Sequence, residues 1–497
     1  MTRAHSSGLS FASFWPALAL ALVTFLAPAQ AQTQSQQQQT RSDATLVDQG
    51  RRLAVAADCA ACHTAAKGAA FAGGRPIGSP LGSVVASNIT PSQVGGIGGY
   101  TLDDFTRSLR QGLRKDGAHL YPAMPYPAYA LLSDADTAAL YAYFMQGVAP
   151  VDQPAPQTEL RFPFNLRGLM GGWNALFLKD ARFVPDPAQP AEWNRGAYLV
   201  GALAHCSACH TPRNALMGEQ KEAWLSGGSV GSWYAPNITS DPARGIGTWS
   251  EAELVQYLKT GRAEGKAQAA GPMAEVVEHS LQHLPEADVK AIAVYLKQTP
   301  TQPGSTLDAS TGVATPTRFS YGAPSPAVLA SGAVSGSVSG VVEPGLRIFN
   351  ANCARCHRAD GAGTGRDGFP SLFHNSATGG ERPDNLIATI LFGVSRTVGE
   401  RTYAMPAFGK TATFANRLSD QEVAEVSNHV LRRYGNPALK VVASDVLVSR
   451  NGGAPPLLAR VRPLIGPLIA LLVAGLIALV LLRVRRIRRE RSAHRSS

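Results

Sequence analysis

Charge and cysteine are both scarce in this 497-residue chain: 16% of its residues are Asp, Glu, Lys or Arg, and six are Cys. Six cysteines are too few for a disulfide-built scaffold. The low charge, beside 45% hydrophobic residues, excludes a disordered polyelectrolyte and leaves material for about three packed cores at ~150 residues each. An excess of one sign is also missing from the body of the chain. The net charge is +11, but Arg3 carries one and the last fifteen residues carry six, with seven Arg against Glu490. Residues 32–482 hold 38 Lys and Arg against 34 Asp and Glu. That balance excludes a basic groove for phosphates, so no nucleic-acid partner is expected.

Long runs that are both uncharged and strongly apolar are confined to the two ends. Residues 1–31 read as a signal peptide, with Arg3, an apolar stretch from Trp15 to Leu26, and Ala29-Gln30-Ala31 as a small-residue cleavage site. Residues 463–482 are twenty in number without a charge, enough at ~1.5 Å per residue to cross a hydrocarbon core of ~30 Å. Six Arg follow between Arg483 and Arg491, against Arg450, Arg460 and Arg462 upstream. The positive-inside bias then predicts a transmembrane helix over 463–482 and a basic cytoplasmic tail over 483–497. Everything before them is expected on the periplasmic side of a bacterial inner membrane.

What is abundant is repetition. Cys59-Ala60-Ala61-Cys62-His63, Cys206-Ser207-Ala208-Cys209-His210 and Cys353-Ala354-Arg355-Cys356-His357 use all six cysteines, their first cysteines 147 residues apart in both intervals. A glycine eight to ten residues earlier opens a helix-like stretch in each unit: Gly50, Gly196 and Gly345. Closing helices are predicted from Asp134 to Phe144, Glu286 to Leu296 and Asp420 to Leu431, with Ser133 and Ser419 as N-caps. The first two units share Asn-Ile-Thr (Asn88–Thr90, Asn237–Thr239) and Gly-Ile-Gly (Gly96–Gly98, Gly245–Gly247), which the third lacks. The expected organisation is a mainly α chain with three haem domains in series, over 45–149, 193–299 and 344–440. A strap over 150–192 packs on the first two, and a flexible linker over 300–343 lets the third swing toward a membrane-side acceptor.

Cys-x-x-Cys-His is the c-type haem attachment signature. Both thiols add to haem vinyl groups, and the adjacent histidine is delivered to one face of the iron. A redox-active or zinc-binding Cys-x-x-Cys needs no following histidine. Three covalently bound haem c groups are therefore expected, on Cys59 and Cys62, Cys206 and Cys209, and Cys353 and Cys356, with His63, His210 and His357 as axial ligands. Methionine is the usual sixth ligand in electron carriers. Met124, Met273 and Met405 lie 61, 63 and 48 residues after those histidines, each beside a proline that stiffens the expected loop. Met145, Met170 and Met217 lack this setting and read as packing. His119, His279, His283 and His374 are rival ligands. His205 is expected to be packed or exposed near the second haem, and His429 to lie on the surface.

The runs Leu120-Tyr121-Pro122-Ala123-Met124-Pro125-Tyr126-Pro127, Leu140–Phe144, Glu192–Leu199 and Met273–Ser280 carry a resemblance. Over residues 45–440 the chain resembles the three-haem cytochrome c subunit of bacterial membrane-bound dehydrogenases, the group serving alcohol, gluconate, sorbitol, fructose and aldehyde oxidation. The resemblance implies cytochrome c domains, a large partner subunit carrying a flavin, a quinone cofactor or molybdenum, and onward transfer to ubiquinone or another respiratory acceptor. It implies no active site in this chain. Two alternatives stay open on the residues: a haem-bearing subunit feeding a terminal oxidase, and a haem enzyme with one open iron.

Overall fold

Each unit is closed by two helices that cross at a glycine. In a computed structural model, which describes residues 43–79, 81–300, 337–338, 341–364 and 369–493, a Cβ on Gly50 would stand 1.9 Å from the Ala139 carbonyl oxygen. On Gly196 it would stand 2.0 Å from the Ala291 oxygen, and on Gly345 2.3 Å from that of Glu425. Only a residue without a side chain lets the opening helices 43–56, Ala191–Tyr198 and Pro344–Asn352 lie this close to the closing helices Asp134–Ala142, Glu286–Gln298 and Asp420–Tyr434. Ser133 accepts from the Asp136 N–H, and Ser419 with Glu422 forms a capping box, which satisfies otherwise orphaned donors.

The first two units share one apolar core, running from Leu53, Leu132 and Leu140 through Leu199 and Leu203 to Ile292. Tyr198 Oη donates to Asp136 at 2.5 Å across the boundary, while within the first unit Tyr129 Oη donates to the Ala57 carbonyl at 3.0 Å. Residues 150–192 run across both units. Asn174 accepts from Tyr126 Oη at 2.7 Å, Trp173 Nε1 donates to the Leu216 carbonyl, and the Phe183 ring packs on Tyr198.

The third unit has its own core, built on Phe349, Leu391, Val423 and Leu431. It continues past residue 440: Val441 and Val446 are buried in it, and the helix Ala443–Arg450 is held by Arg450 Nε on Asp420 at 2.6 Å. The expected swinging of this unit is corrected by its contacts. Asn385 and the Tyr234 backbone exchange two hydrogen bonds, Arg244 pairs with Glu381 at 2.8 Å, and Gln282 bonds Thr397 and Gly399. A tether, however flexible, does not free a body whose face is already hydrogen-bonded and packed. Of the linker itself, residues 301–336 lie outside the described residues, and its end forms a short hairpin, Ser337–Val338 with Val341–Val342.

The signal peptide over 1–31 lies outside the described residues. The stretch 463–482 falls within a 37-residue helix, Leu457–Ala493, that carries Pro463 and Pro467. The side chains of residues 465, 466, 468–470, 472 and 473 are outside the description, and among the described residues no helix is long and apolar enough to cross a membrane.

Candidate functional site

The three Cys-x-x-Cys-His segments each form a single helical turn, Cys59–His63, Ser207–His210 and Ala354–His357. One turn brings both sulfurs and the histidine to one side. The imidazole Nδ1 faces a backbone carbonyl in every unit: Ser87 O at 2.7 Å from His63, Pro236 O at 2.7 Å from His210, and Pro370 O at 3.0 Å from His357. A carbonyl only accepts, so Nδ1 carries the proton and Nε2 keeps a lone pair for a metal. Burial pushes His63 and His357 down, which keeps those rings neutral.

The Asn-Ile-Thr and Gly-Ile-Gly segments build the support for that acceptor. Asn88 Oδ1 takes the N–H and hydroxyl of Thr90, and Asn237 does the same for Thr239. Ile97 N–H then bonds Thr90 O, and Ile246 N–H bonds Thr239 O. The resulting closed loop holds Ser87 O or Pro236 O toward its histidine.

Sequence reasoning missed a further shared feature. The carbonyl of each attachment-turn histidine is capped by a glycine N–H: Gly73 on His63, Gly227 on His210, Gly363 on His357. All three have positive φ, at 71°, 105° and 63°. They follow their histidines by ten, seventeen and six residues, so no fixed spacing betrays them. Arg75 and Arg213 likewise donate to Ala61 O and Ala208 O inside the first two turns, at 2.6 and 2.7 Å.

Burial pushes Cys59, Cys206 and Cys353 up to about 12 and Cys62 to about 11. Such surroundings penalise a thiolate, as a zinc site or a redox pair requires, and accept an uncharged thioether. Among the described residues no group of three or more His, Cys, Asp and Glu gathers to hold a metal ion. The donor set fits haem c: neutral sulfurs, one oriented imidazole and an apolar wall in each unit.

The three methionines are half-buried in three different backbone settings. Met124 lies in a turn, accepting from Tyr126 N–H at 2.8 Å. Met273 is the third residue of the helix Gly271–His279, and Met405 ends the strand Arg401–Met405. The common proline-stiffened loop expected from sequence is thus found only at Met124; a glycine of positive φ, Gly271 or Gly393, shapes the other two. Met124 and Met273 pack with Cys59 and Cys206 against the shared core, and Met405 with Cys353 against the third. Of the rivals, His119 lies against Gly171 of the strap and His283 bonds Glu278 O.

One helix touches all three sites. Gly271–His279 carries Met273, packs on the turn Cys59–His63 and on the hairpin Val394–Val398/Arg401–Met405. Arg75 clamps its Glu275 with two hydrogen bonds at 2.9 and 2.7 Å, and its Glu278 accepts from Thr397 N–H. The first and second attachment turns are near enough that Cys209 acts electrostatically on Cys62. His205, half-buried at φ 38°, sets its ring edge-on to Tyr129 of the first unit at 5.7 Å. His429, expected on the surface, is 2% exposed and lies between the Phe349 and Tyr434 rings. It sits beside the Gly345 crossing, the most tightly closed part of the unit, which the helix pattern alone does not reveal.

The cytochrome c family pattern matches residues 47–147, 193–300 and 342–433. The chain is 46% identical over 411 residues to the fructose dehydrogenase cytochrome subunit of Gluconobacter japonicus, covering 82% of this chain and 83% of that one. It is 39% identical over 430 residues to the alcohol dehydrogenase (quinone) cytochrome c subunit of Gluconacetobacter polyoxogenes, covering 83% and 86%. It is 39% identical over 435 residues to the gluconate 2-dehydrogenase cytochrome c subunit of Pantoea cypripedii, covering 83% and 91%.

Proposed function

We propose, on the premise that this chain belongs to the cytochrome c family and is similar over most of its length to cytochrome subunits of bacterial dehydrogenases, that it is the three-haem electron-carrying subunit of such a complex. Haem c supplies a one-electron Fe(III)/Fe(II) couple at each attachment turn. The rest is the work of the chain. Cys59 and Cys62, Cys206 and Cys209, and Cys353 and Cys356 hold the group as thioethers. His63, His210 and His357 present Nε2, aimed by the Ser87, Pro236 and Pro370 carbonyls. Met124, Met273 and Met405 supply the sixth ligand. A histidine and a methionine offered in each unit would hold the iron with side chains alone, which favours carrying electrons over a haem enzyme.

The observation that carries this reading is the recurrence of the histidine-to-carbonyl geometry in all three units, joined by one helix. Electrons enter from a large subunit carrying a flavin, a quinone cofactor or molybdenum, and leave to ubiquinone or another respiratory acceptor. Membrane attachment is assigned to 463–482. Leu471, Leu479 and Leu482 of that stretch are 71%, 64% and 62% exposed, a row of leucines suited to lipid, and the following arginines suit the cytoplasmic side. We assign the three units to the periplasm on the signal peptide expected over 1–31.

Affinity purification of the detergent-solubilised complex tests the function. A large dehydrogenase subunit should copurify, and its substrate should reduce the haems of this chain. Copurification of a terminal oxidase core, or rapid carbon monoxide binding at one iron of the folded chain, would replace the reading with one of its alternatives.

A further inference from the structure

The helix that carries Met273 is tied to both neighbouring units. Met273 is its third residue; Ala270 before it gives no side-chain cap, and the first turn holds no acid. The devices that usually fix a helix start are thus missing at the end that carries the sulfur. Further along, Arg75 of the first unit clamps Glu275 with its Nη2, at 2.9 and 2.7 Å from the two carboxylate oxygens. Glu278 accepts from Thr397 N–H of the third unit at 3.1 Å, and Ser280, just past the helix, donates to Ala56 O of the first at 3.4 Å.

Arg75 joins two sites with one side chain. Its Nη1 donates at 2.6 Å to Ala61 O, between the two cysteines of the first attachment turn. The second unit repeats this bond, from Arg213 Nη2 to Ala208 O at 2.7 Å, but there the pairing acid is Glu219 of the same unit, 3.6 Å away. Of the two arginines, only Arg75 reaches across a boundary. Glu275 follows Met273 by two residues, about 200° around the helix axis. The clamp thus grips the helix on the face opposite the sulfur and leaves Met273 toward the core on which Cys206 also packs.

We propose that Arg75 of the first unit is a positioning residue for the sixth ligand of the second haem, holding the helix of Met273 through Glu275. This inference rests on the three-haem reading, in which Met273 completes the second iron. A helix released on one face rocks, and its sulfur spends less time at bonding distance. An outside ligand then competes better for that position. The two side chains are 34% and 44% exposed, and an ion pair so open to water shifts an equilibrium by a few-fold rather than by orders of magnitude.

The test titrates the oxidised full chain with imidazole, which displaces methionine from iron and abolishes the far-red band that the sulfur gives Fe(III). Haems are counted as pyridine haemochromes, and three should persist in every variant. Met273→His removes one step of the titration and so marks the second haem; Met124→His marks the first in the same way. In Arg75→Met and in Glu275→Gln the step of the second haem should move to about threefold lower imidazole, and in Glu275→Gln the step of the first should stay in place. The double variant should move it no further than either single change, because both remove one contact. A second-haem step that stays in place in Glu275→Gln, or shifts that add in the double variant, would overturn this proposal alone. Should Arg75→Met fail to mature, Glu275→Gln decides by itself, since it spares the bond from Arg75 to Ala61. If Met273→His removed no step, the reading of Met273 as a ligand would fall, and the proposal with it.

Discussion

Neither ring nitrogen of His429 has a hydrogen-bond partner, and burial pushes this residue down to about 4, with Arg433 adding repulsion. Glu343 is 3.5 Å from its Nδ1 but also pairs with Arg432, so it lends the imidazole little support as a cation. In the unfolded chain the same ring titrates near 6.5. The folded value is the lower one, so the unfolded state takes up the proton first. The stability tied to His429 is therefore complete above pH 6.5 and is lost as pH falls toward 4, by about 3 kcal/mol in all. His429→Phe, which suits a slot between Phe349 and Tyr434, should flatten this acid dependence. Thermal unfolding of the third unit at pH 7 and pH 4.5 checks it; an equal drop in parent and variant would refute the assignment.

At the scale of elements, the three glycine crossings differ in what depends on them. Gly50 and Gly196 close helices that feed one continuous core, whereas Gly345 closes a core of its own. An added methyl in any of them must displace a backbone carbonyl, and overpacking of this kind costs typically ~1–3 kcal/mol. Gly345→Ala should lower the unfolding midpoint of the third unit alone. Gly196→Ala should lower the first and second units together, since neither can loosen without exposing the other. Haem-specific absorbance followed through thermal unfolding separates the cases, and independent melting of units one and two in Gly196→Ala would show that their cores are not shared in solution.

The whole molecule is a fused pair with a third body clamped to it. A protease site placed within residues 301–336 and cut in the folded protein should leave the two fragments associated on gel filtration, held by contacts such as Asn385 with Tyr234 and Arg244 with Glu381. Separation into two peaks would restore a swinging third unit. Attachment to the membrane is a separate matter. Truncation after Arg462 should yield an exported chain with three haems in the soluble periplasmic fraction, because the other long uncharged stretches beyond residues 1–31, 76–102 and 319–342, are rich in Gly and Ser rather than apolar. Retention of that form in the membrane without its partners would refute a single C-terminal anchor.

Local chemistry was legible in the residues alone. Cys-x-x-Cys-His marks an attachment turn within five positions, and serine before an acidic turn marks a helix start. Each of these signals acts over less than two dozen residues, so linear order preserves it. The closing helices and the attachment turns could therefore be placed from the sequence. Other features depend on which distant segments meet. The glycine caps on the histidines of the attachment turns vary in spacing because the loops between them differ in length. His429 is buried because Gly345 lets two helices touch, and Arg396 is buried because Gly261, more than a hundred residues earlier, leaves space for it. Whether the third unit moves was decided by hydrogen bonds and packing across a face, which linker composition does not encode. Tertiary structure alone set the burial of these charged and polar groups, since burial belongs to the neighbours that folding assembles.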